Sequence, residues 1–158
     1  MIASMPAPQI TSYSLNEDLR ERAPSSHIHR AEPNEAAREE LLLAKLGSLG
    51  WGRVHQFRYY YDQGWGENSR PALSPKALDA FFIFLDEIKF PLQGKLPSVF
   101  LTDKGGLELA WEDAAGKPIQ VEFRADDAEY FHAASNEEDV VAFHMLSNIN
   151  DLARRLSV

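Results

Sequence analysis

The chain has 158 residues, 44% of them hydrophobic, and a formal net charge of −8; that length suits one ordinary domain with its own core, and that charge argues against general affinity for nucleic acid or anionic lipid. Cysteine is absent, which excludes disulfides, thiol nucleophiles and Cys-based zinc sites. No apolar run reaches the roughly 18 residues of a membrane helix, and Met1–Ile10, broken by Pro6 and Pro8, lacks the apolar core of a signal peptide, so a soluble cytoplasmic protein is expected.

Residues 1–33 are rich in Pro, Ser, Asn and charge and hold few large apolar groups. They cannot bury enough surface to offset their ordering entropy and read as a flexible arm. Residues 34–158 read as a single domain. Asn34 caps an expected helix from Glu35 to Leu49, with Leu42, Leu46 and Leu49 at helical spacing. Gly47 weakens its last turn and Gly50 stops it. The run Val54–Tyr61 is β-branched and aromatic and reads as a strand. Gly64, Gly66 and Pro71 mark an irregular connection.

Ser74 followed by Pro75 is a helix start: a capping hydroxyl, then proline at the first helical position. The helix should run to about Lys89 and stop before Pro91. Leu78, Phe81, Phe82, Leu85 and Ile88 form its apolar stripe, and Ile83 and Phe84 widen it, which places this helix at the centre of the core.

Strands follow. The first is expected over Ser98–Thr102, then a turn at Asp103-Lys104-Gly105-Gly106. Leu107–Glu112 is the second: Leu107, Leu109 and Trp111 face one way, Glu108, Ala110 and Glu112 the other. In the third, Pro118–Arg124, Ile119, Val121 and Phe123 alternate with Gln120, Glu122 and Arg124. Asp126-Asp127 turns the chain again, and Glu129–His132 reads as a short fourth strand. Ser135-Asn136-Glu137-Glu138 has the form of a capping box and should open a final helix to about Leu156, with Val141, Met145, Ile149, Leu152 and Leu156 inward. The predicted fold class is therefore α+β: an antiparallel three- to four-stranded meander packed against about three helices.

Charge is concentrated in the meander. Residues 103–139 hold 11 of the 24 acidic side chains and three of the 16 basic ones. Glu108, Glu112 and Glu122 share the polar face of the strands, and Asp126 and Asp127 lie in the neighbouring turn. Such a face is either a solvated surface or one complementary to a basic partner, which would steer association and set specificity.

Other constellations carry less. His27 and His29 form a possible chelating pair but fall in the arm, without a partner motif. His132 and His144 could approach one another across the last turn and helix, and each reads as a structural or surface histidine. No Gly-x-Ser-x-Gly is present, and Gly105-Gly106 joins strands rather than opening a helix, so it is not a phosphate cradle. No cofactor and no metal site is expected, and the chain reads as a non-enzyme. The segment holding Trp51, Arg53, Phe57, Arg58, Tyr59 and Tyr61 interleaves aromatic and basic groups, a pattern that can stack bases and neutralise phosphates, though with only two arginines.

The stretch from Gly64-Trp65-Gly66-Glu67 through Pro71 to Ser74-Pro75-Lys76-Ala77-Leu78, together with Thr102-Asp103-Lys104-Gly105-Gly106-Leu107-Glu108-Leu109-Ala110-Trp111-Glu112 and Ile119-Gln120-Val121-Glu122-Phe123, resembles a recurrent pattern in small bacterial proteins of no established activity. The likeness spans about residues 62–131 and implies a shared fold. It also suggests a setting near mobile elements or toxin–antitoxin loci. Here Gly66 stands where that pattern has Asp, and Glu67 where it has Gly. Trp65 reads as a packing anchor between the loop and the Ser74 helix. These readings converge on an interaction protein of the antitoxin, immunity-protein or inhibitor kind, with Glu108, Glu112, Glu122, Asp126 and Asp127 meeting a basic protein. The alternatives are a nucleic-acid-associated accessory protein using segment 51–61, and third, a His-dependent metal hydrolase.

Overall fold

The structure, a computed structural model, describes residues 33–66, 69–142 and 147–158. The chain divides into two units, Met1–Arg38 and Glu39–Val158. The predicted arm, with His27 and His29, lies outside the described residues, as do His144 and Met145.

The elements run α1 (Pro33–Tyr59), α2 (Pro75–Glu87), β1 (Ser98–Leu101), β2 (Leu107–Glu112), β3 (Pro118–Phe123), β4 (Asp127–His132), β5 (Glu137–Ala142) and α3 (Ser147–Leu156). The fold is α+β, with five strands where the sequence predicts three to four. They form one antiparallel meander in the order β1-β2-β3-β4-β5.

Two elements differ from expectation. The predicted strand Val54–Tyr61 is the second half of a helix that bends at Gly47 (φ 75°, ψ −178°) and continues to Tyr59. β propensity loses here because burial follows the helical period. Val54 and Phe57, three apart, enter the core, while Trp51 stacks on His55 and His55 meets Tyr59 at a tilt, each pair four apart, with ring centroids 5.4 and 4.7 Å apart. Leu49, expected inward, is 71% exposed, because the bend at Gly47 breaks its phase with Leu42 and Leu46.

The second difference is the capping box. Ser135 and Asn136 form the β4–β5 hairpin turn, with Asn136 at φ 55°, and Glu137 and Glu138 begin β5. An asparagine tolerates that left-handed turn position, and β5 gains a full ladder against β4, from His132↔Glu137 to Asp127↔Ala142. α3 starts only at Ser147.

The helix start at Ser74-Pro75 is as read. Ser74 Oγ accepts from the Ala77 amide at 3.3 Å, and Pro75 opens the helix. Phe81, Phe84, Leu85 and Ile88 are fully buried. This helix lies over the inner face of β2 and β3: Phe81 and Phe84 meet Phe123 at 5.7 and 5.2 Å, and Phe84 meets Trp111 at 6.1 Å. α3 packs on α2 and β5 and buries Ile149, Leu152 and Leu156. Its basic end has particular partners as well as the helix dipole: Arg154 bonds Glu87 at 3.0 Å, and Arg155 donates to the Tyr130 hydroxyl at 2.9 Å.

Trp65 anchors its loop. The indole N–H donates to the Pro71 carbonyl at 2.7 Å, Arg70 lies 5.0 Å over the ring and Tyr61 meets its edge at 5.1 Å. At the open edge of β1, Arg53 donates to the Val99 carbonyl at 3.4 Å, and its guanidinium lies 5.6 Å from the centre of the Phe100 ring, which stays 43% exposed. A charged side chain on an edge carbonyl blunts pairing with a foreign strand.

Candidate functional site

Alternation along the strands divides the sheet into two faces. Leu107, Leu109, Val121, Phe123, Ala128 and Tyr130 are buried on the inner face beneath the helices. The outer face of β2 to β5 carries no helix among the described residues. The register places its side chains in rows. One row reads Phe100, Glu108, Glu122, Glu129, Val140; the next reads Ser98, Ala110, Gln120, Phe131, Glu138. Glu108, Gln120, Glu122, Glu129, Phe131 and Glu138 line a shallow groove of about 180 Å³.

Three glutamates stand directly opposite one another in the first row. Like charges so placed repel. Glu129 is relieved by Arg124, whose guanidinium reaches it at 2.7 Å and Asp127 at 2.6 Å. Glu108 and Glu122 have no hydrogen-bond or ion-pair partner among the described residues. Partial burial, and then the Glu122 charge, push the Glu108 carboxyl above the usual glutamate range.

That shift has a sign. The folded protein holds the Glu108 proton more tightly than the unfolded chain, so stability falls as pH rises from the ordinary glutamate value through the raised one. Glu108→Gln is expected to raise stability at pH 7 by about 0.2–1 kcal/mol, with the gain vanishing below about pH 4. Urea unfolding midpoints at the two pH values measure this; an unchanged or lower midpoint at pH 7 would contradict it.

The five acidic residues singled out in the sequence do not all share the groove. Glu108 and Glu122 line it. Glu112 lies on the same face at the end of β2, opposite Pro118. Asp126 turns toward Lys76 at the start of α2, 3.7 Å away, and Asp127 is held by Arg124. Sequence reasoning missed Glu129, Phe131 and Glu138. The first two alternate with the buried Ala128 and Tyr130 and were legible as period-2 positions. Glu138 was hidden in the apparent capping box.

The helix divides the aromatic and basic segment. Phe57 is buried and Tyr61 packs on it at 5.7 Å. Trp51 donates to Glu39 at 2.7 Å, Arg53 is spent on the β1 edge, and Arg58 lies 5.1 Å over Tyr59. Trp51 and Tyr59 lie along one face with His55 between them and Arg58 over Tyr59, while Phe57 and Arg53 are engaged elsewhere. His132 approaches Asp113 at 3.7 Å, while Asp113 accepts from the Ala115 and Lys117 amides. Those backbone bonds, that of Lys117 first, hold the Asp113 carboxyl below its usual range. No group of three or more His, Asp or Glu able to hold a metal occurs among the described residues, and no described helix is long and apolar enough to cross a membrane.

Compared with protein-family models, curated proteins and solved structures, the chain has no match in any of the three.

Proposed function

We propose that this chain is a non-enzymatic interaction module, of the antitoxin, immunity-protein or inhibitor kind, that acts in the cytoplasm and binds a basic protein through the outer face of its sheet. The observation that carries the reading is the Glu108–Glu122 pair: two carboxylates set opposite each other across β2 and β3, on a face that carries no helix among the described residues. Mutual repulsion costs the free protein stability, and a lysine or arginine laid between the two would remove that cost. Glu129 and Glu138 extend the same field. Phe100 and Val140, 43% and 49% exposed at the two ends of the row, supply apolar contact beside the charge, as the cores of protein interfaces do.

The reading is tested by reversing the charge of the groove. The triple variant Glu108→Lys, Glu122→Lys, Glu138→Lys should keep its cooperative thermal unfolding and lose capture of a basic protein from the source cell. Retention of the same partner by the variant would end this reading. Binding should also weaken with salt, since it rests on charge steering.

A further inference from the structure

A second hollow lies away from the acidic face, between the first half of α1 and the segment that joins α2 to β1. Its volume is about 590 Å³, within the roughly 300–1,000 Å³ of small-molecule sites. The joining segment contains Pro91 and Pro97, which keep it out of a helix or a sheet interior. It is nevertheless tied down. Phe90 packs edge-on against Trp111 at 5.1 Å. The Lys89 amide donates to Ser157 Oγ at 2.9 Å, and the Lys89 carbonyl accepts from the Val158 amide at 3.1 Å. On the other side, the bend of α1 makes room for the wall: a Cβ on Gly47 would stand 2.8 Å from Leu96 Cδ1.

The lining is of two kinds. Phe90, Leu92 and Leu96 give an apolar surface, and Lys45, Lys89 and Lys95 give three ammonium groups. Val158 also lines the hollow, and Asp86 and Glu87 lie near enough to act on Lys45, but among the described lining side chains the charged ones are all basic. Lys45 Nζ donates to the Ile88 carbonyl, which uses one of its three hydrogens. Burial lowers the affinity of Lys45 for its proton; Asp86 and, less, Glu87 oppose the effect, and Lys89 adds to it. Leu92 is fully exposed and Leu96 is 63% exposed, and exposed apolar side chains grouped at a hollow mark a binding surface more often than scattered ones do.

We propose that this pocket binds a small anion carrying an apolar chain, its head group between Lys45, Lys89 and Lys95 and its chain along Phe90, Leu92 and Leu96. Charge complementarity sets the head group, and the apolar wall with its limited volume sets the size of the tail. The site is independent of the acidic groove, and either proposal can fail without the other.

The test is an amide-resolved NMR titration of the full chain with sodium decanoate, decanol and decyltrimethylammonium, each below its micelle concentration. Decanoate should give saturable shifts centred on Lys45, Lys89, Phe90 and Leu96. Decanol and the cation should bind at least about tenfold more weakly. The double variant Lys89→Gln, Lys95→Gln should keep the spectrum of a folded chain, because neither side chain has a bonding partner among the described residues, and should weaken decanoate about tenfold. Non-saturable shifts, shifts centred elsewhere, or equal binding of decanol and decanoate would overturn the proposal.

Discussion

Phe123→Ala is expected to lower the free energy of unfolding by about 3–5 kcal/mol, the usual cost of removing a buried phenylalanine ring. Phe123 is fully buried on the central strand β3. It is flanked by Leu107 and Ala128 on the neighbouring strands and touches the rings of Phe81 and Phe84 on α2. The ring therefore joins helix to sheet, and its removal leaves a void lined by the buried side chains of Phe81, Phe84 and Leu107. Against a total stability of about 5–15 kcal/mol for native proteins, that is a large share, and the unfolding midpoint of the variant should fall well below that of the parent chain. Urea denaturation followed by tryptophan fluorescence measures it, since Trp111 lies in the same aromatic cluster. Phe100→Ala is the control: that ring lies on the outer face, and its loss should cost under about 1 kcal/mol. If the two variants lose the same amount, the core does not lie where it is placed above.

Gly105→Ala should cost about 2–5 kcal/mol, from two sources that can be separated. Gly105 has φ 81°, a left-handed conformation that costs an L-residue roughly 1–2 kcal/mol. A Cβ there would also stand 2.5 Å from the Ala72 carbonyl oxygen, and overpacking against backbone typically adds about 1–3 kcal/mol. The contact cannot relax freely, because the Gly105 carbonyl accepts from the Ser74 amide at 2.8 Å, which joins the β1–β2 turn to the cap of α2. Gly116 supplies the comparison, with φ 82° and no atom within 4 Å of its Cβ position. Gly116→Ala should therefore show the backbone cost alone. Equal losses in the two variants would mean that the close approach at Ala72 carries no energy.

The elements legible in the sequence were those whose signals are local and mutually consistent. Ser74-Pro75 named its helix because a capping hydroxyl and an N1 proline act within one turn. The strands β2 and β3 were legible because one face is buried and one is wet, so alternation survives in the residues themselves. From that alternation alone come Glu108 and Glu122, the centre of the outer face. Ile149, Leu152 and Leu156 were likewise found by helical spacing, although their helix begins later than its apparent cap.

Tertiary structure decided the rest. Segment 54–61 has strand composition, but its burial at Val54 and Phe57 and its ring contacts among Trp51, His55 and Tyr59 exist only as a helix lying against the rest of the domain. Ser135–Glu138 matches a capping box, yet four residues at a helix start gain less than a six-residue ladder along β4. The partners of the acidic residues were also beyond local reading: Arg124 neutralises Asp127 and Glu129 but not Glu122, and only the register of β3 and β4 fixes which carboxylates it reaches. The lysine-lined hollow belongs wholly to this second category, since Lys45 lies more than forty positions from Lys89 and Lys95 in sequence. Sequence by itself determined where charge and apolar surface alternate, because that is written residue by residue. Which of those surfaces meet, and which are left open, depended on pairings between distant segments, whose energies no local pattern contains.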